Sequence, residues 1–217
     1  MAAKFWHRLS HECELWKNGC SHVAGVDEAG CGPLAGPVVA AAVVFPKNWL
    51  EPGLPYLFRG LNDSKQLTED EREKFFARIT SHPEIRFAIA SVDVETIDRI
   101  NIFHAAQRAM LLALEQLLPA AEHVLVDGRA IKLLKVPQTA LVQGDARSYS
   151  IAAASVLAKV TRDRTMRELD KTFPGYGFAE HKGYSTPQHF AAIEKLGACA
   201  AHRKSFSPLK PKELELF

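Results

Sequence analysis

From Gly36 to Phe45 the chain runs for ten residues without a polar side chain: Gly-Pro-Val-Val-Ala-Ala-Ala-Val-Val-Phe. A strand with one face in water alternates apolar and polar residues. An unbroken, β-branched run therefore predicts a strand over Pro37–Phe45 that is buried on both faces. A sheet covered by helices on each side provides that environment. The same stretch is about half of the roughly 20 residues that a membrane-spanning helix needs, so no bilayer span is expected.

The rest of the pattern supplies such a sheet and its helices. Phe5–Trp16 reads as a short amphipathic helix on the outside, His22–Asp27 as a first strand, and Gly30–Gly36 as a Gly/Pro turn. Thr68 and Glu71 have the spacing of a capping box, followed by a helix whose apolar face is Phe75, Phe76 and Ile79. Arg86–Val92 and His123–Asp127 read as strands, and Thr139–Val142 as a fifth. Phe103, Gln107, Met110, Leu111, Leu114, Leu117 and Leu118 follow a helical period that Pro119 closes. Ser148–Leu169 is an Ala-rich helix whose small residues would allow close packing on a sheet, Phe173–Tyr184 is a loop, and Pro187–Leu196 is a further helix. The expected fold class is α/β: a mixed sheet flanked by helices, with a C-terminal helical extension. One domain over 1–217 is expected, with an N-terminal helical segment to roughly residue 20 and a C-terminal helical part from roughly residue 170. With 217 residues, 47% hydrophobic and 24% charged, the chain can bury a core without staples and is not intrinsically disordered. Four cysteines without a C-x-x-C pair point to a reduced, cytoplasmic setting. Charges through the first twenty residues exclude a secretory leader.

Three acidic positions stand out by their place in this scheme. Asp27-Glu28 ends the first strand, Asp127 ends the fourth, and Asp145 precedes the Ala-rich helix. In open α/β sheets ligands gather beyond the carboxyl ends of strands. Carboxylates crowded there repel one another unless a cation neutralises them, and their hard oxygens suit Mg²⁺ or Mn²⁺. Each acid could instead simply end its element, since Asp is common at turns and caps. The turn Gly30-Cys31-Gly32-Pro33-Leu34-Ala35-Gly36 is a second candidate, because glycines let a backbone approach a ligand and offer amide donors. Its G-x-G-x-x-x-G spacing, followed by a strand, departs from a dinucleotide-binding fingerprint, which requires G-x-G-x-x-G opening a helix. The net charge of +2 identifies no partner, but residues 129–167 hold eight Lys/Arg against Asp145 and Asp163. That excess fits either a solvated helix face or a phosphate-facing surface, and hence also a non-catalytic nucleic-acid-binding module with steep salt dependence.

The block Gly25-Val-Asp-Glu-Ala-Gly-Cys-Gly-Pro-Leu-Ala-Gly-Pro-Val-Val-Ala-Ala-Ala-Val43 resembles the signature of the type 2 ribonuclease H family, bacterial ribonuclease HII. Further blocks follow in the expected order: Asn62–Leu67, Val124–Gly128, Gly144-Asp145, Ser150–Asp163 and His181–Thr186. The resemblance implies a ribonuclease H-like fold with a five-stranded mixed sheet. It implies an endonuclease that hydrolyses the RNA strand of RNA–DNA hybrids and cuts 5′ to single ribonucleotides in duplex DNA, leaving 3′-hydroxyl and 5′-phosphate ends. Asp27, Glu28, Asp127 and Asp145 match the carboxylates of a two-metal Mn²⁺ or Mg²⁺ site. Gly30, Cys31 and Gly32 occupy the turn that senses the 2′-hydroxyl, Tyr184 matches the tyrosine that packs on the junction sugar, and Asn62, Ser64 and Lys65 fall in the phosphate-contacting loop. A monomer is expected.

One departure concerns Cys31, which stands where the family usually has arginine. Main-chain recognition survives that change, but a guanidinium's grip on phosphate does not. His181 and Lys182 are expected to contact the substrate backbone, and Arg162, Asp163 and Arg164 to form helix-face ion pairs. The tail Lys210–Phe217 reads as a frayed terminus, with docking to a replication clamp as the alternative.

Overall fold

A computed structural model describes residues 7–210. Five strands form one sheet: β1 (Val23–Ala29), β2 (Val38–Val44), β3 (Arg86–Val92), β4 (His123–Asp127) and β5 (Gln138–Leu141). Their order is β3-β2-β1-β4-β5. β2 is antiparallel to both β1 and β3, while β1, β4 and β5 run parallel. The sheet is therefore mixed and five-stranded, as the sequence pattern implied. Every residue of β2 is buried. Ala41 and Val43 pack into the core on one face, and Val38, Ala40, Ala42 and Val44 into the core on the other.

The helices are α1 (Ser10–Lys17), α2 (Glu69–Ser81), α3 (Val94–Ile100), α4 (Ile102–Glu115), α5 (Gly144–Arg147), α6 (Tyr149–Thr172), α7 (Phe178–His181) and α8 (Pro187–Leu196). α6 covers one face of β1 and β2, and α4 covers the other. The Ala-rich composition of α6 has the expected consequence: Ala152, Ala153, Ala154 and Ala158 are fully buried. At Gly25 the two backbones come so close that a Cβ would lie 2.3 Å from the backbone N of Ile151. The capping box of α2 is present, with Thr68 Oγ1 accepting from the Glu71 N–H (3.3 Å) and Glu71 Oε2 accepting from the Thr68 N–H (2.8 Å).

Several expectations need correction. α3 was not anticipated. It spans seven residues, with Asp93 Oδ1 accepting from the Thr96 N–H at its start and Asn101 at φ +64° ending it. The inner face of α4 is built on Ala105, Ala109 and Ala113 with Met110 and Leu114, whereas Phe103 is 39% exposed and Leu118, beyond the helix, is 80% exposed. α1 is not merely an outer layer. Leu9, Glu12 and Trp16 beside or within it are buried, and Glu12 Oε1 accepts from Ser148 Oγ (2.6 Å), Ser150 Oγ (2.7 Å) and the Ser150 N–H (3.0 Å). Among the described residues, the C-terminal part is helical in α7 and α8. Beyond α8 the chain turns back on the loop between β1 and β2, where Leu34 O accepts from the Arg203 N–H and Ala201 O from the Gly36 N–H, both at 2.8 Å. Residues 1–6 and the tail from 211, including all but Lys210 of the segment considered for clamp docking, lie outside the described residues.

Candidate active site

The register of the parallel pair β1–β4 aligns Val26 with Val126, so Asp27 and Asp127, one residue further along, lie side by side at the carboxyl ends of neighbouring strands. α5, following β5, brings in the third acid. One carboxylate oxygen each from Asp27, Asp127 and Asp145 lies within 4.8 Å of the others. Hydrogen bonds hold these side chains. Asp27 Oδ1 accepts from the Glu28 N–H (2.7 Å), Asp127 Oδ1 from the Gly144 N–H (2.7 Å), and Asp145 Oδ1 from the Ala146 N–H (2.9 Å). The Asp145 carbonyl in turn accepts from Arg8, whose other nitrogen reaches Leu61 O at 2.7 Å. Glu28 is not part of this tight group. Its side chain faces the adjoining cavity, where Oε1 accepts from the Cys31 thiol at 3.5 Å.

The electrostatics are those of crowded acids short of positive charge. Burial, then the Glu28 and Asp127 carboxylates, push Asp27 well above the ordinary range. Burial and Asp127 raise Asp145. Burial raises Glu28 against the opposing Cys31 hydrogen bond. A divalent cation would remove this penalty, and three hard oxygen donors at this spacing form an appropriate ligand set. Asp27, Asp127 and Asp145 would hold such an ion, with Glu28 at its edge.

Next to the acids lies a cavity of about 250 Å³ lined by Glu28, Gly30, Cys31, Gly32, Ser64, Lys65 and Tyr184, among others. Six of the seven residues that the resemblance assigns to the turn, the junction tyrosine and the phosphate loop thus line one cavity. The exception is Asn62, whose Nδ2 donates to Gln66 Oε1 (3.0 Å) and braces the loop. Gly30 has φ +105°, and a Cβ there would lie 2.9 Å from Pro37 O, so the turn requires glycine at this point. Tyr184 is 43% exposed. Burial and Glu28 push the Cys31 thiol up to about 12.

The sequence pattern did not single out Ser155, Lys159 or Asp63. Ser155 hydrogen-bonds Ser64 (2.8 Å) and favours the charged form of Asp27. Lys159 lines the same cavity, paired with Asp163 at 2.7 Å. Asp63, a neighbouring negative charge, opposes the ionisation of Asp145. The helix-face assignment of Arg162 changes. Arg162 is not in a helix-face ion pair. It is 1% exposed and donates to Pro37 O (3.1 Å), Lys182 O (3.1 Å) and Ala35 O (3.0 Å), while Asp163 pairs with Lys159 and Arg164 with Glu73. His181 and Lys182 make contacts within their own loop: His181 with Tyr176 O (2.8 Å) and the Gly183 N–H (3.2 Å), Lys182 with Ala179 O. The basic stretch 129–167 is not one surface, since Arg162 is buried and Arg164 and Arg167 pair with Glu73 and Glu69.

A five-stranded mixed sheet with carboxylates from β1, β4 and the short helix α5 meeting at one sheet end defines a protein of the ribonuclease H-like fold. Its solved relatives agree. The ribonuclease H2 of Pyrococcus horikoshii OT3 superposes with a TM-score of 0.69 at 27% identity, over 87% of this chain and 95% of its own. A family profile for ribonuclease HII matches residues 24–208. The ribonuclease HII of Anaeromyxobacter sp. (strain Fw109-5) is 50% identical over 97% of this chain and 66% of its own length, and that of Geobacillus kaustophilus (strain HTA426) is 50% identical over 94% and 76%. The chain belongs to the ribonuclease HII family and is an enzyme of that family. It spans about two thirds of the Anaeromyxobacter relative.

Proposed function

We propose that this chain hydrolyses the RNA strand of RNA–DNA hybrids and cuts on the 5′ side of single ribonucleotides embedded in duplex DNA, leaving 3′-hydroxyl and 5′-phosphate ends. The observation carrying this reading is the meeting of Asp27, Asp127 and Asp145 beside a cavity walled by Gly30–Gly32 and Tyr184. Mn²⁺ or Mg²⁺ held by the carboxylates supplies Lewis acidity at the scissile phosphate. The protein's part is placement. Main-chain groups of the glycine turn meet the 2′-hydroxyl, which distinguishes RNA from DNA. Tyr184 packs on the neighbouring sugar, and Ser64 and Lys65 take the phosphate. Free cysteines, and the lack of any membrane-crossing helix among the described residues, fit action in the cytoplasm on nucleic acid.

The test is a labelled duplex carrying one ribonucleotide, with an all-DNA duplex as control. Cleavage at the 5′ side of the ribonucleotide is expected with Mn²⁺ or Mg²⁺ and none with EDTA. Cutting that persists in EDTA, or no cutting of the ribonucleotide duplex with either ion, overturns the reading.

Cys31 provides a second expectation. Its thiol is too short and too weak a donor to grip a phosphate, so substrate is held more loosely than a guanidinium would hold it. Cys31→Arg is expected to lower KM on the single-ribonucleotide duplex by about 3- to 10-fold, the effect of one charge-assisted hydrogen bond partly offset by ordering. Unchanged kinetics would show that the turn works through its main chain alone.

A further inference from the structure

The Gly30–Gly36 turn is held from behind by an arginine that arrives from the other end of the chain. Arg203 is fully buried. It donates to Gly30 O (2.6 Å), Cys31 O (3.3 Å), Gly36 O (2.9 and 3.0 Å) and Pro37 O (3.3 Å). The planar fork of a guanidinium can serve several acceptors at once, which an ammonium on a flexible stem cannot do in the same geometry.

Which carbonyls are taken matters. The Gly30 carbonyl and the Cys31 N–H belong to one peptide unit, and the Cys31 carbonyl and the Gly32 N–H to the next. In a planar trans peptide these groups point in opposite directions. Gripping both carbonyls from behind therefore turns both amides to the opposite side, and Gly30, Cys31 and Gly32 line the cavity next to Asp27 and Glu28. Further along the turn the amides are used internally, Leu34 N–H to Gly183 O and Gly36 N–H to Ala201 O. Among the described residues, the Cys31 and Gly32 amides have no such acceptor. A hydrogen bond to a carbonyl also polarises its own peptide, strengthening the N–H at the far side.

We infer that Arg203 is a positioning residue for ribonucleotide recognition: it orients the Cys31 and Gly32 N–H groups as a fixed pair of donors facing the substrate ribose. This rests on the recognition role proposed above for the turn. The segment carrying Arg203 is itself anchored, since Asp98 accepts from the Lys204 N–H (2.9 Å), the Ser205 N–H (2.9 Å) and the Ser205 hydroxyl (2.6 Å).

The experiment measures binding in EDTA, by fluorescence anisotropy, to a duplex with one ribonucleotide and to the all-DNA duplex of the same sequence. The wild type is expected to prefer the former. Arg203→Lys, which keeps the charge and loses the fork, is expected to reduce that preference by about 10-fold while the all-DNA affinity stays within about 2-fold, as for two weakened hydrogen bonds. Asp98→Ala, which loosens the segment from outside the turn, is expected to reduce it in the same direction by less, and decides the matter if Arg203→Lys does not fold. Full preference in the folded variants, or an equal loss on both duplexes, overturns the positioning role alone. A wild type with no preference overturns it together with the recognition reading, which separates the two failures.

Discussion

Asp27→Asn, Asp127→Asn and Asp145→Asn are each expected to lower metal-dependent cleavage by at least about 100-fold, because even outer partners of metal ligands cost about 10- to 100-fold when removed. The fold should persist, since each change keeps the side chain's size and relieves the crowding of three acids whose oxygens lie within 4.8 Å. Full activity of any one variant with Mg²⁺ or Mn²⁺ would remove that acid from the mechanism. The same substitutions carry a pH signature. Burial holds Asp27 and Asp145 above the ordinary carboxylate range. Above about pH 4, where unfolded-chain carboxylates have ionised, the native metal-free protein retains protons that the unfolded chain has released. Its stability therefore falls as pH rises through that window. Divalent ions compete with those protons, so the gain in Tm on adding Mn²⁺ should grow with pH over the same interval. His202, held down to about 4 by burial and His189, contributes in the opposite sense, gaining stability as pH rises towards its unfolded value. Comparing wild type with Asp27→Asn cancels it, and the metal-free variant should show the flatter loss. Equal slopes in the two proteins would mean that Asp27 is ionised without metal.

Gly25→Ala is expected to be the most damaging single methyl in the molecule. A Cβ there would sit 2.3 Å from the backbone N of Ile151 and 2.3 Å from the backbone C of Ser150, atoms that cannot rotate aside. Relief requires α6 to move off β1, opening the core where Ala152, Ala153 and Ala154 are fully buried. Overpacking of a tight core costs about 1–3 kcal/mol, occasionally more, and contact with backbone puts this site at about 3 kcal/mol or above. Urea unfolding measures it directly. Gly128→Ala has nothing within 4 Å of the added Cβ and provides a milder comparison, although its φ of +70° adds strain of its own. A Gly25→Ala protein as stable as wild type would mean that α6 does not lie on β1 as described.

The acids were legible because local pattern carried them: an apolar run that stops at a carboxylate is visible without knowing its neighbour, although β1 itself continues to Ala29. Asp27 and Asp127 each ended a short apolar run, and parallel pairing then brought them together. β2 was legible for the same kind of reason, its polarity being uniform rather than alternating. α3 escaped because Val94-Glu-Thr-Ile-Asp-Arg-Ile100 is too short for a periodic signal, and its limits are set by Asp93 and by the left-handed Asn101. Arg162 and Arg203 escaped because a charge in a helix or a tail reads as solvated, and most of the carbonyls they serve lie more than a hundred residues away. The turn did carry one clue. A Gly/Pro segment that forms neither helix nor strand still has carbonyls to satisfy when buried, and a compact fold must find donors for them.

That distance along the chain also orders events during biosynthesis. Arg203 grips oxygens 166 to 173 positions upstream, so the ribosome delivers every acid of the hydrolytic centre well before it delivers the clasp for the neighbouring loop. On the roles proposed above, the carboxylates emerge first, and the residue that orients the sugar-reading turn emerges well after them.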